Sequence, residues 1–196
     1  MTDAPRRLVV GVTGASGSIY AGRFLSHLRR LDMDVHLVAS DTAEQVCAFE
    51  GHPLPKTWEP SSEHPARLVR HRPADLFAAP SSGSFRHDGM VVIPCSAGTV
   101  GRLSAGTSDS LLLRAADVCL KERRKLVLVV RESPLSRIHL RNLLELSDAG
   151  AVILPASPGF YQKPSSLEEL VDGLLDRVFD QLGLPMDLAP RWKDKA

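Results

Sequence analysis

The chain has no apolar run approaching the ~20 residues that a membrane-spanning helix needs. The start, MTDAPRR, is followed by only five strand-like residues, too few for a signal-peptide core. Both absences point to a cytoplasmic protein. Cysteine is scarce: Cys47, Cys95 and Cys119 lie far apart with no CxxC, which fits reduced thiols better than a disulfide frame. The seven histidines form no HxxxH or HExxH pair, so no metal site is expected. A charge excess of either sign is missing too. Twenty-four Lys and Arg against 23 Asp and Glu leave a net charge of +1, which makes no case for nucleic acid or an anionic membrane as partner. Aromatics reach only 5%, so any pocket is built mainly of aliphatic groups.

What is present is a core. Of the 196 residues, 43% are hydrophobic and 24% charged, enough apolar side chain for residues 1–196 to form one domain. Short runs rich in Val, Ile and Leu at 8–12, 35–39, 90–93, 126–130 and 151–154 read as buried parallel strands. Helical spacing fills 19–31, 109–120 and 136–148. The clearest helix places Leu167, Leu170, Val171, Leu174, Leu175, Val178 and Leu182 on one face. Strands alternating with helices predict a doubly wound α/β fold, an open parallel sheet covered on both faces. Residues 51–73, broken by five prolines, read as a surface excursion. The polar tail around Trp192 is either loose or docked on a neighbouring subunit.

In such a sheet, ligands bind beyond the carboxyl ends of the strands. Three clusters of small residues fall there: Gly14-Ala15-Ser16-Gly17-Ser18, Ser40-Asp41-Thr42 and Ser96-Ala97-Gly98-Thr99. Each precedes a predicted helix, whose free N–H groups attract anions. Ordinary helix capping explains any one of them, but three at one edge favour a phosphate pocket. Gly11, Gly14 and Gly17 match a loose GxxGxxG. However, Tyr20 and Tyr161 are followed four residues later by Phe24 and Ser165, so the Tyr-x-x-x-Lys pair of many dehydrogenases is absent. There is no GxxxxGK[ST] loop, and Ser18 stands where a GxSxG elbow needs glycine. Arg131 and Glu132 follow a buried strand, Tyr161 and Lys163 follow the last one, and Arg177 flanks the stripe of the final helix. Charges such as Lys121 in KERR suit a helix C-terminus.

Taken in order, VGVTGASGSIYA, SSGSF, VVIPCS, SAGTSDSLLLRAADVCLKERRKLVLVVRESP, HLRNLLELSDAGAVILP and PGFYQKPSSLEELVD resemble the UbiX flavin prenyltransferase family over nearly the whole chain. The resemblance implies a flavodoxin-like fold. It also implies transfer of a dimethylallyl group from dimethylallyl phosphate to reduced FMN, without a metal. The product, prenylated FMN, serves UbiD-type decarboxylases. Carried over by motif, Gly14, Ala15, Ser16, Ser40, Ser96, Ala97, Gly98, Thr99 and Arg131 would bind FMN. Lys121, Tyr161 and Arg177 would hold the donor's phosphate. Ser16 would lie near the reacting centre, with Glu50 and Glu132 handling protons. The small-residue turn at 14–18 is then expected to seat the flavin phosphate. The family forms large homo-oligomers, dodecamers, with sites at subunit contacts. Two positions depart from its pattern: Gly98, where many members carry lysine, and Ser133, where threonine is usual. An FMN-dependent cysteine decarboxylase of the same fold and a non-catalytic FMN carrier remain alternatives.

Overall fold

A computed structural model describes residues 6–191. Trp192, on which the docking expectation rested, lies outside the described residues. The elements run β1 (Arg6–Val12), α1 (Ser18–Leu28), β2 (Met33–Ala39), α2 (Asp41–Phe49), β3 (Arg67–His71), a short 3₁₀ turn (Ala79–Ser81), β4 (Gly89–Cys95), α3 (Ala97–Ser104), α4 (Leu111–Lys121), β5 (Leu126–Val130), α5 (Arg137–Asp148), β6 (Val152–Pro155) and α6 (Leu167–Leu182). All six strands join one parallel sheet in the order β3-β2-β1-β4-β5-β6. The chain winds outward from β1 in one direction, then returns to its other side with β4. The order reverses between β1 and β4, and that is where a crevice opens in such sheets.

The near-continuous apolar strands feed two cores. Leu8, Val10 and Val12 of β1 point to one face, with α1 and α6; Val9 points to the other, with α3 and α4. Period-two alternation therefore makes a strand that is apolar at every position serve both layers. Stacking of the Phe24 and Phe179 rings, with centroids 4.8 Å apart, joins α1 to α6. Beside it, Asp172 of α6 accepts from Arg23 Nε at 3.0 Å and meets His27 Nε2 at 3.0 Å.

Five strands match the sequence reading. The sixth, β3, falls inside the stretch read as an excursion. It is an edge strand with only Ala66 fully buried beside it, so it needs no apolar run. Polar cross-strand pairs hold it instead: Arg67 Nε donates to Asp34 at 2.6 Å, and His71 meets His36 at 2.9 Å. Helix α4 starts two residues later than its expected range, capped by Ser110, whose hydroxyl accepts from Leu113 N–H. Among the described residues, no helix is long and apolar enough to cross a membrane.

Candidate functional site

Thr13 holds the crevice together. It is buried at the end of β1, and its hydroxyl donates to the Pro94 carbonyl at 2.8 Å and accepts from Ser96 N–H at 2.9 Å. The ends of β1 and β4 are thereby locked, and the turns that follow them are fixed beside each other. Gly14 has a packing reason for being glycine: a Cβ there would lie 2.4 Å from Thr42 Cγ2 at the start of α2. Gly17 adopts φ +103°, open to glycine and costly for other residues.

The first turn already faces an anion of the chain's own. Glu50, at the end of α2, accepts from Gly17 N–H at 3.0 Å and Ser18 N–H at 2.7 Å. Its carboxylate thus already occupies the anion position at the start of α1. Partial burial works against its ionisation. Hydrogen bonds from the Ser16 hydroxyl and from the Ser18 and Gly17 N–H groups outweigh that and bring its pKa down to about 2. Of the turn expected to seat the flavin phosphate, residues 14–18, the Gly17 and Ser18 N–H groups are thus turned to Glu50. The exposed Ser16 hydroxyl instead faces Glu50. Arg131 runs past the turn, its Cγ 3.9 Å from where a Gly17 Cβ would stand, and Tyr20 lies on the same side.

A cavity with hydroxyl-rich walls lies next door. A cavity of about 270 Å³ is lined by Thr13, Ser40, Asp41, Thr42, Thr99, Arg102 and Ser110 among others. Residues from the first turns or caps of α2, α3 and α4 contribute to its wall. Ser40 and Ser96 cap α2 and α3 through Ala43 N–H and Thr99 N–H, and Ser96 Oγ meets Thr99 Oγ1 at 3.0 Å. Ala97 and Gly98 form the first turn of α3. Hydroxyl donors, three helix N-termini and small side chains fit a phosphate monoester. Thr13, Arg102 and Ser110 were missed in the sequence. The signal for Ser110 and Thr13 was there, a hydroxyl before a helix and one after a strand. Nothing in the spacing marked Arg102.

Glu132 lines a second cavity of about 310 Å³ with Arg131, Leu135, Ile153 and Ser157, beyond β5 and β6. The residues expected to clamp the donor's phosphate stand on three separate segments. Lys121 ends α4, about 16 Å along the helix from Ser110 at a 1.5 Å rise per residue, and meets Glu122 Oε1 at 3.1 Å. Arg177 donates to Asp180 at 3.0 Å on the exposed side of α6. Tyr161 stands exposed on the loop after β6. Among the described residues, no three His, Cys, Asp or Glu side chains are grouped to hold a metal.

The Flavoprotein family model matches residues 1–179. The flavin prenyltransferase UbiX of Deinococcus radiodurans is 48% identical over 99% of this chain and 98% of its own. The chain belongs to the UbiX flavin prenyltransferase family. The fold of this UbiX-family chain matches the crystal structure of AnUbiX (PadA1) in complex with FMN and dimethylallyl pyrophosphate, with a TM-score of 0.86 and 46% identity over 96% of this chain and 98% of that one. It also matches a dodecameric FMN-dependent UbiX-like decarboxylase from Escherichia coli O157:H7, with a TM-score of 0.84 and 44% identity over 95% and 98% of the two chains.

Proposed function

We propose that this chain joins a dimethylallyl group from dimethylallyl phosphate to reduced FMN, making prenylated FMN for UbiD-type decarboxylases. The observation that carries the reading is the 48% identity to a flavin prenyltransferase over essentially both full lengths. Residues 1–196 act as one domain, in the cytoplasm, where Cys47, Cys95 and Cys119 stay as the buried free thiols they are in the fold.

The FMN phosphate sits among Ser40, Ser96, Ala97, Gly98 and Thr99, where the helix N-termini meet. Gly14, Ala15, Ser16 and Arg131 bear on the rest of the flavin. Reduced FMN, when bound, would supply nucleophilic positions at its central-ring nitrogen and at the neighbouring benzenoid carbon, between which a fourth ring forms. Ser16, backed by Glu50, would lie near the reacting centre, and Glu132 would handle a proton there. Ionisation of the allylic carbon–oxygen bond leaves a phosphate whose growing charge Lys121, Tyr161 and Arg177 neutralise. Lys121 lies at the far end of α4 from the ligand edge, and in this reading it serves the site of a second copy of the chain. The protein therefore works as a homo-oligomer.

The test is anaerobic incubation of the purified chain with reduced FMN and either dimethylallyl phosphate or the diphosphate, followed by mass analysis of the flavin. A flavin heavier by one dimethylallyl group is expected with the monophosphate. Flavin recovered unchanged from both would leave an FMN carrier in its place.

A further inference from the structure

We propose that Arg102 is the side chain that reads the flavin phosphate, giving this chain its preference for FMN over riboflavin. The proposal rests on the phosphate seat described above and assigns to it a residue that the family motifs do not supply. Arg102 follows Thr99 by three positions on α3, which puts both on one helix face. Both line the 270 Å³ cavity with Thr13, Ser40 and Ser110. The ionisable side chains among the described lining residues are Asp41 and Arg102. Without Arg102, an entering dianion would meet hydroxyls and helix N-termini but also an uncompensated carboxylate.

Gly98 sharpens the point. A Cβ at that position would find nothing nearer than Ser96 Oγ at 3.9 Å, so the first turn of α3 has room but brings no charge. Arg102 stands four residues later, one turn down the same helix, and brings the cation. Its guanidinium is paired with Asp109. The two side chains are 52% and 60% exposed, so water screens the pair and it holds Arg102 only weakly. A phosphate presents three acceptor oxygens to the guanidinium's planar fork of donors, a stronger match than one exposed carboxylate. Arg102 leaves Asp109 for the phosphate without disturbing the core.

The experiment titrates FMN and riboflavin separately into the parent chain, Arg102→Gln and Arg102→Lys, following flavin fluorescence. The parent should bind FMN more tightly than riboflavin. Arg102→Gln should weaken FMN binding roughly tenfold or more, as for loss of a charge-assisted hydrogen bond. It should leave riboflavin affinity and melting temperature unchanged, and Arg102→Lys should restore part of the loss. An FMN-to-riboflavin ratio equal in the parent and Arg102→Gln overturns the proposal. A parent that does not distinguish the two flavins shows that the cavity is no phosphate seat, and the proposal falls with it. Prenyl transfer assayed separately reports whether the proposed function survives either result.

Discussion

At Glu50, one carboxylate closes the start of α1 and faces the Ser16 hydroxyl. With a pKa near 2 it is an anion and a strong hydrogen-bond acceptor, but a weak base. In the proposed reaction it would act as a fixed charge that orients Ser16 and favours a developing cation. Glu50→Gln keeps an acceptor for the helix N-terminus and removes the charge. Steady-state assays should show kcat lower by roughly 10²–10³, as for loss of one preorganised electrostatic contact, with KM for both substrates little changed. Turnover at the parent rate would reduce Glu50 to a helix cap. The depressed pKa also sets the sign of its effect on stability. The folded carboxylate titrates below its ordinary 4.5, so its stabilisation is complete above that value and is lost as pH falls towards 2. Near neutral pH, no limb of the kcat profile should belong to Glu50.

Among the elements, α1 and α6 are the pair whose packing depends on a charge. Asp172 is buried under α1, where desolvation opposes its ionisation. The hydrogen bonds from Arg23 and His27 outweigh that and lower its pKa. Asp172→Asn keeps the shape and loses charge-assisted hydrogen bonds. Denaturant unfolding at pH 7 should find the variant less stable by about 1–3 kcal/mol. The depressed folded pKa means that the parent holds this advantage above the ordinary carboxylate value of 3.8 and loses it as pH falls further. Parent and variant should converge in acid. An undiminished gap there would show that packing, not charge, sets the difference. Exposed apolar side chains mark α5 differently: Ile138, Leu140 and Leu144 point away from the sheet while Leu146 is buried. The helix repeat that identified α5 does not say that much of its apolar surface is left uncovered by its own chain.

For the whole molecule, the exposed Phe49, Phe77, Ile138, Leu140 and Leu144 belong to surfaces that water does not favour. Light scattering should find an assembly well above the 21.3 kDa chain. The separation of Lys121 from the α4 N-terminus gives a sharper measurement. If Lys121 acts on a neighbour's site, Lys121→Ala and Glu50→Gln damage different sites when carried on different chains. Co-assembling these two inactive variants should recover a fraction of parent turnover, because some sites then receive Lys121 and Glu50 from opposite parents. No recovery from confirmed mixed assemblies would place both residues in one chain's site.

The sequence by itself determined the parallel sheet, its two cores and the edge at which the ligand turns lie. Each of those follows from local pattern: apolar runs such as 126–130 must be covered on both faces, and hydroxyls before helices must cap them. It also carried the family motifs, because the turn residues are contiguous in the chain. Strand β3 stayed hidden, since an edge strand with Arg67 and His71 on polar partners has no apolar signature. Only the tertiary structure decided that Glu50 fills the first turn, 33 residues from Gly17. The tertiary structure also showed that Thr13 ties that turn to Ser96, and that Arg102 lines the same cavity as Ser40 and Ser110. These relations depend on which helix N-termini converge at the reversal of strand order. That convergence is set by long-range packing, and no spacing along the chain encodes it.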